Sequence, residues 1–346
     1  MLALHSQPAK RATRFAPKMQ NLLDEHVGDD LFRLDKTTVG ISGAALIEKV
    51  LGARPALESE RPTFKPLRGR SIPKAHTSKV MQALGRDVRH ALAKPWPSGK
   101  DLTGSWPHVG HQYLCEWVFG DDPLQMRMVV DRLLVLAPPL TWAAISASAL
   151  FPFRLGPHAS ELATLTAAAS TYEQRRFALG LYRRAAGPIC IAISTLVTNA
   201  IWLASPFDPE LSNRSILYET MRLLPPSWSI RRSASPEYCA IDPRIGLHDD
   251  VLVFPFLSHR HPGIWEEPDS FCAARWDRLD PDSHPGYFPF GGSSERCWGM
   301  HLVMPLAERL LDLLRQQGLG VSSRQLHADV PQHGLLGILH VDVVRR

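Results

Sequence analysis

"FPFGGSSERCWGM", residues 288–300, sets one cysteine between an arginine and a tryptophan on a glycine-rich turn, and the apolar run LVMPLAERLLDLL follows directly. Three readings of Cys297 stand side by side: a buried structural thiol, a nucleophile paired with a distant histidine, or a metal-bound thiolate. The neighbours favour the third. Gly291, Gly292 and Gly299 let backbone approach a flat, bulky group, and Phe290 and Trp298 supply ring faces to pack on it. A helix expected over 301–317, opening at His301, would point its positive end toward Cys297 and stabilise a thiolate.

The rest of the chain narrows the choice. Its 346 residues can bury a sizeable core, and 45% hydrophobic with 21% charged residues is an ordinary globular balance. The net charge of +5 is modest, and the 39 Lys+Arg form no block interleaved with aromatics, so a nucleic-acid surface is not expected. Cys115, Cys190, Cys239, Cys272 and Cys297 are odd in number, widely spaced and without a CxxC pair. That argues against a zinc ribbon or a disulfide framework and for a reducing compartment, here the cytoplasm. No apolar secretory segment opens the chain; residues 1–25 read as a basic, flexible tail and 26–346 as a single domain. The uncharged runs 133–153 and 187–207 are long enough for a bilayer, but Pro138, Pro139 and the hydroxyls of the second mark both as buried helices, so no transmembrane segment is expected.

Residues 30–43 read as two short strands, followed by a helix through ALIEKVL. Residues 54–73 read as loop and 76–93 as a helix opened by Pro73. Helical spacing continues through VGHQYLCEWVFG, DPLQMRMVVDRLLVL and 160–186. RSILYETMRLL is a helix stopped by Pro225-Pro226, whereas SWSIRRS, DDVLVFPF and GILHVDVV read as strands. The fold class is mostly α with a small β portion at both ends of the sequence.

One thiolate without protein partners cannot hold zinc or an iron–sulfur cluster, but it can hold haem iron, because a porphyrin supplies four ligands. FPFGGSSERCWG resembles the haem-binding loop of the cytochrome P-450 superfamily, FxxGx[RH]xCxG, with Phe290, Cys297 and Gly299 in place. Ser293 stands for a glycine and Glu295 for the usual Arg or His, whose charge Arg296 could carry one place later. Three further matches follow in the family's order. YETMRLLPP resembles its ExxR pair (Glu219, Arg222) and diproline. SHRHPGIWEEPDSFCAARW resembles the segment whose Arg275 completes a Glu–Arg–Arg network. PPSWSIRRSA resembles the strand that lends an arginine, Arg231 or Arg232, to a haem propionate. His76 resembles the residue that opens the family's propionate-binding helix, with Lys79 near the expected arginine.

The resemblance implies a cytochrome P-450-like fold, haem b with Cys297 as axial ligand, and monooxygenation of a small lipophilic or secondary-metabolite substrate. It also implies a ferredoxin-type electron donor and a monomer. One motif departs. Where the family's central helix carries an acid–alcohol pair, RRAAGPICIAIS aligns Ala186, Gly187, Pro188, Ile189 and Cys190, so Gly187 and Cys190 are the candidate catalytic positions and Ile189 replaces the acid. A general acid is thereby lost. The alternatives are a peroxide-using or rearranging enzyme of the same family, or a degenerate homologue serving as a partner protein. A haem-free cysteine enzyme is the remaining reading.

Overall fold

The computed structural model describes residues 11–53, 67, 72–95, 99–135, 138–294, 296–332 and 334–346. The strands are β1 Ala12–Phe15, β2 Leu31–Asp35, β3 Thr38–Ile41, β4 Gly104–Trp106, β5 Ile230–Arg232, β6 Asp250–Val253, β7 Leu319–Val321, β8 His327–Val330 and β9 Val341–Arg345. The helices are α1 Pro17–His26, α2 Ala44–Gly52, α3 Lys74–Ala93, α4 His108–Phe119, α5 Leu124–Met128 and α6 Pro138–Ser148. They continue with α7 Glu161–Ala167, α8 Tyr172–Ala204, α9 Asn213–Leu223, α10 Pro236–Cys239, α11 Pro255–Ser258 and α12 Met300–Gln316. The molecule is mostly helical with small sheets, as the sequence predicts.

Helix α8 is the axis on which the rest packs. A capping box starts it: Thr171 accepts from the Gln174 amide while the Gln174 side chain accepts from the Thr171 amide. Its apolar residues are buried nearly all round, from Leu179 to Trp202. The hydroxyls that dilute the run return their hydrogen bonds to their own helix, Ser194 to the Ile191 carbonyl and Thr198 to the Ser194 carbonyl. Buried Asn199 donates to the Leu224 and Leu336 carbonyls and accepts from the Ile338 amide, tying α8 to the end of α9 and to the C-terminal loop. Such a helix passes a length-and-hydropathy test for crossing a membrane, yet its apolar window is largely buried within the protein. Pro188 leaves the Arg184 carbonyl without its usual donor, but the helix runs through it.

Four strands from two distant stretches of the sequence form one sheet in the order β2-β3-β6-β5. The parallel β3–β6 pair aligns Val39 with Val251 and Ile41 with Val253, and these four side chains are buried with Ile47, Val50 and Leu51 of α2 and with Phe288. That apolar layer seats α2 beside the loop that precedes α12. β4, β9 and β7 form a second sheet, and β1 pairs in parallel with β8.

Several expectations need correction. Of the basic tail expected over 1–25, residues 12–25 lie in β1 and α1, with Arg14 paired to Asp329; residues 1–10 lie outside the described residues. The helix expected over 160–186 is two helices, because Asp87 and Ser160 cap a separate α7: Asp87 accepts from the Glu161 and Leu162 amides, and Ser160 from that of Ala163. The run 133–153 is not a central buried helix. It yields the short α6 and leaves Leu140, Leu150 and Phe151 about 60–70% exposed. Most of the loop expected over 54–73 lies outside the described residues.

Candidate functional site

Among the described residues, the most buried charges lie on α9. Glu219 and Arg222 are fully buried, one helical turn apart, and Arg222 donates through Nε (3.0 Å) and Nη2 (2.8 Å) to the two carboxylate oxygens. Arg275 Nε reaches Glu219 Oε1 at 3.2 Å, while the Cys272 amide and the Trp276 indole supply bonds of 2.9 Å each. Five donors thus converge on one carboxylate. Arg222 spends its remaining protons on the carbonyls of His259, Pro268 and Ser270, and its guanidinium lies 5.2 Å from the Trp265 ring centre. A buried ion pair of this kind survives only because every hydrogen-bonding site is filled. The three network residues named from sequence are therefore brought together.

His259, which sequence reasoning missed, connects this network to the cysteine loop. The ring is fully buried; Nδ1 lies 3.2 Å from the Met221 and Arg222 carbonyls, and Nε2 lies 2.7 Å from the Phe288 amide. Because that amide can only donate, Nε2 must accept, so the ring is neutral with its proton on Nδ1. Burial, and then the positive charges of Arg222 and Arg260, push its pKa down to about 3. No motif consideration pointed to it beyond its place in the SHRHPG stretch.

The loop itself is held at both ends. The Cys297 amide donates to the Phe290 carbonyl at 2.7 Å, and the Leu302 and Val303 amides turn back to Gly299 to start α12. Gly291 has φ +88°, a conformation that glycine adopts at no steric cost. Glu48 of α2 accepts from the Ser293 amide (3.1 Å to each oxygen) and from the Ser293 hydroxyl (2.8 Å). The serine that departs from the expected glycine is thus a clamp point. Glu295 lies outside the described residues. Phe290 and Trp298 are half-buried against the main core, and of the five cysteines only Cys297 is exposed.

Other assignments change. Arg296 does not turn toward Cys297; it pairs with the Asp282 carboxylate and donates to the Asp282 carbonyl at 2.9 Å. It lines a cavity of about 260 Å³ with Tyr218, Asp282, Phe290 and His301. Arg231 is exposed and paired with Asp250, whereas Arg232, two residues from the core-packed Ile230, lies half-buried on the opposite face of β5. His76 packs edge-on to Phe177 of α8 at 6.1 Å, and Lys79 is exposed.

Of the five aligned residues on α8, only Pro188 is exposed. Gly187 has low exposure, yet a Cβ placed there would meet nothing within 4 Å, and Pro188 beside it is exposed. This side of α8 borders open space. Arg183, one turn earlier, has a buried Nε without a partner. Ile189 and Cys190 are buried, and Cys190, one turn on from Gly187, is hydrogen-bonded to Cys115 of α4. That thiol takes part in the α4–α8 contact. Among the described residues, no three His, Cys, Asp or Glu side chains gather in a way that could hold a metal ion. Protein ligands alone do not build a metal centre there.

Comparison with known proteins adds a family model, two curated relatives and two solved structures. The family model described as "Cytochrome P450" matches residues 214–313. Cyclooctatin synthase of Streptomyces melanosporofaciens is 35% identical over 94 residues, 26% of this chain and 20% of that one. A cytochrome P-450 of Mentha piperita is 25% identical over 230 residues, 64% of this chain and 44% of the relative. The chain thus aligns with less than half the length of these curated relatives. Among solved structures, a six-coordinated cytochrome P-450 from Thermus thermophilus superposes with a TM-score of 0.58 at 15% identity, covering 96% of this chain and 99% of that one. The haem domain of another cytochrome P-450, a variant, gives 0.61 at 16% identity, covering 94% and 92%.

Proposed function

We propose that this chain, a cytochrome P-450 in fold and in its matched segment 214–313, is a haem-thiolate oxidoreductase that monooxygenates a small lipophilic substrate. The observation that carries the reading is the exposed Cys297, presented on a clamped loop at the N-terminus of α12 while the other four cysteines are withdrawn. The residues present fit a haem. The thiol is free and exposed, a Cβ at Gly299 would come within 3.4 Å of the sulfur, and Phe290 and Trp298 of the same loop are half-buried.

Haem b, when bound, supplies the oxidising chemistry, and a thiolate ligand favours cleavage of an O–O bond. The chain's own residues do the rest. Cys297 Sγ would hold the haem iron, on the loop immediately before α12, whose first turn carries no acidic residue. Arg232 and His76 are the candidates to meet the propionates by charge-assisted hydrogen bonds. Glu48, His259 and the Glu219 network hold the loop in register from three sides. The apolar lining of α8 would exclude water and favour a lipophilic substrate. A ferredoxin-type protein is the expected electron donor. Relatives named for oxidation of cyclooctatin-type compounds in Streptomyces support a secondary-metabolite substrate.

A peroxide-using version has one observation in its favour: residues 186–190 of α8, aligned with the family's acid–alcohol stretch, carry neither carboxylate nor hydroxyl to relay a proton. Feeding electrons from a ferredoxin couple or adding hydrogen peroxide separates the two, since only the operative route yields product. The reading as a whole is tested by the ferrous–CO spectrum of the haem-loaded protein. The red-shifted Soret band of thiolate ligation is expected, and Cys297→Ala should lose it; an unchanged band in that variant would overturn the assignment.

A further inference from the structure

A second sulfur chemistry lies on the far side of α8. Cys115 sits in the third turn of α4, half-buried, at the edge of a cleft lined by Lys100, Asp101, His111, Arg127 and Asp131. His111, one turn earlier on the same helix, places Nε2 3.4 Å from the Cys115 sulfur. The histidine is only 4% exposed, and its Nδ1 is buried without a partner. A bare ring nitrogen tolerates this better than an orphaned N–H does. The proton therefore belongs on Nε2, aimed at sulfur. From the other side comes Cys190 of α8, fully buried and hydrogen-bonded to the same sulfur. Cys115 thus receives two donors, whereas Cys190 has an apolar surround.

This asymmetry divides the labour. The Cys190 bond first, and then the bond from His111, overcome burial and the nearby Asp131 carboxylate, lowering the Cys115 thiol to about 6. Burial pushes Cys190 up, well above its ordinary value. The partly accessible sulfur is the ionised one, and the sealed sulfur stays protonated beside it, an arrangement suited to a reactive and a resolving thiol.

We propose that Cys115 and Cys190 form a peroxide-reactive dithiol, with Cys115 as the sulfur attacked from the cleft and Cys190 as the resolving partner. The Cys115 thiolate displaces at a hydroperoxide oxygen; an S–O bond forms, the O–O bond breaks, and the departing hydroxide or alkoxide takes a proton from solvent. Cys190 sulfur then attacks the sulfenic Cys115 sulfur; the S–S bond forms, the S–O bond breaks, and hydroxide leaves as water with the Cys190 proton. Two electrons pass from the thiol pair to the peroxide. The product fastens α8, two residues past Pro188, to α4. The inference is independent of any haem at Cys297.

The test uses the purified full chain treated with hydrogen peroxide, then alkylated and mapped by peptide mass. A Cys115–Cys190 disulfide peptide, two hydrogens lighter than the sum of its parts, is expected before any Cys239 or Cys272 oxidation. Cys190→Ser should instead trap a sulfenic acid at Cys115 that reacts with dimedone, and Cys115→Ser should give neither product. His111→Ala, a positioning change, should move the pH profile of Cys115 alkylation upward and slow it about tenfold near neutral pH. Recovery of both thiols fully alkylated after peroxide, or pairing of Cys115 with any other cysteine, overturns the proposal. Because wild-type mapping alone decides the disulfide, a variant that fails to fold does not leave the question open.

Discussion

Replacing Glu219 by glutamine is the sharpest test of what holds the region around Cys297 together. The change is nearly isosteric, so it alters charge and bonding without opening a cavity. In the native protein Oε1 accepts from Arg222 Nη2, Arg275 Nε and the Cys272 amide, and Oε2 accepts from Arg222 Nε and Trp276 Nε1. A glutamine must put its NH2 at one of these places, so at least two donors will face a donor. Each orphaned buried donor costs about 1–3 kcal/mol. Loss of the carboxylate also leaves Arg222, fully buried, and Arg275, nearly so, as uncompensated cations. Removing one member of a buried pair typically costs about 3–5 kcal/mol. The two routes to the number agree, and a loss of roughly 4 kcal/mol is a large part of a stability of about 5–15 kcal/mol. Urea unfolding followed by tryptophan fluorescence should show the midpoint falling in proportion, because Trp265 and Trp276 lie against the network. A Glu219→Gln protein with the wild-type midpoint would refute the claim that this carboxylate organises the core.

Two further outcomes follow from the same region. His259 is held neutral with a pKa of about 3 against an ordinary 6.5, so the unfolded chain binds a proton that the folded one refuses. Stability from this group is fully present above pH 6.5 and is lost as pH falls toward 3, at about 1.4 kcal/mol per unit. The urea stability of wild type minus that of His259→Gln should shrink with that slope between pH 6 and 4; parallel curves would show that the ring is not buried neutral. Glu48→Ala removes three hydrogen bonds from Ser293 at an exposed site. Global stability should change by less than about 1 kcal/mol, while hydrogen exchange at Ser293 rises about fivefold or more. Unchanged exchange there would mean that Glu48 does not hold the loop.

Much of this protein was determined by its sequence alone, wherever short-range pattern and physical cause coincide. The periodicity around 74–93, 213–223 and 300–316 gave helices at those places, and Pro225-Pro226 stopped one of them. Glu219, Arg222 and Arg275 could be named because helical spacing and a fixed motif order leave them little freedom. What tertiary structure alone decided is which way side chains turn and what they meet far along the chain. Glu48 meets Ser293 across 245 residues, and Cys115 meets Cys190 from a different helix. Arg296 turns to Asp282 and Arg231 to Asp250, while Arg232 lies half-buried on the other face of β5. Residues 12–25 read as a solvated tail because β1 finds its partner, β8, some 300 residues later. A strand's pairing and a helix's rotation are set by burial against elements remote in sequence, and no local window contains that information.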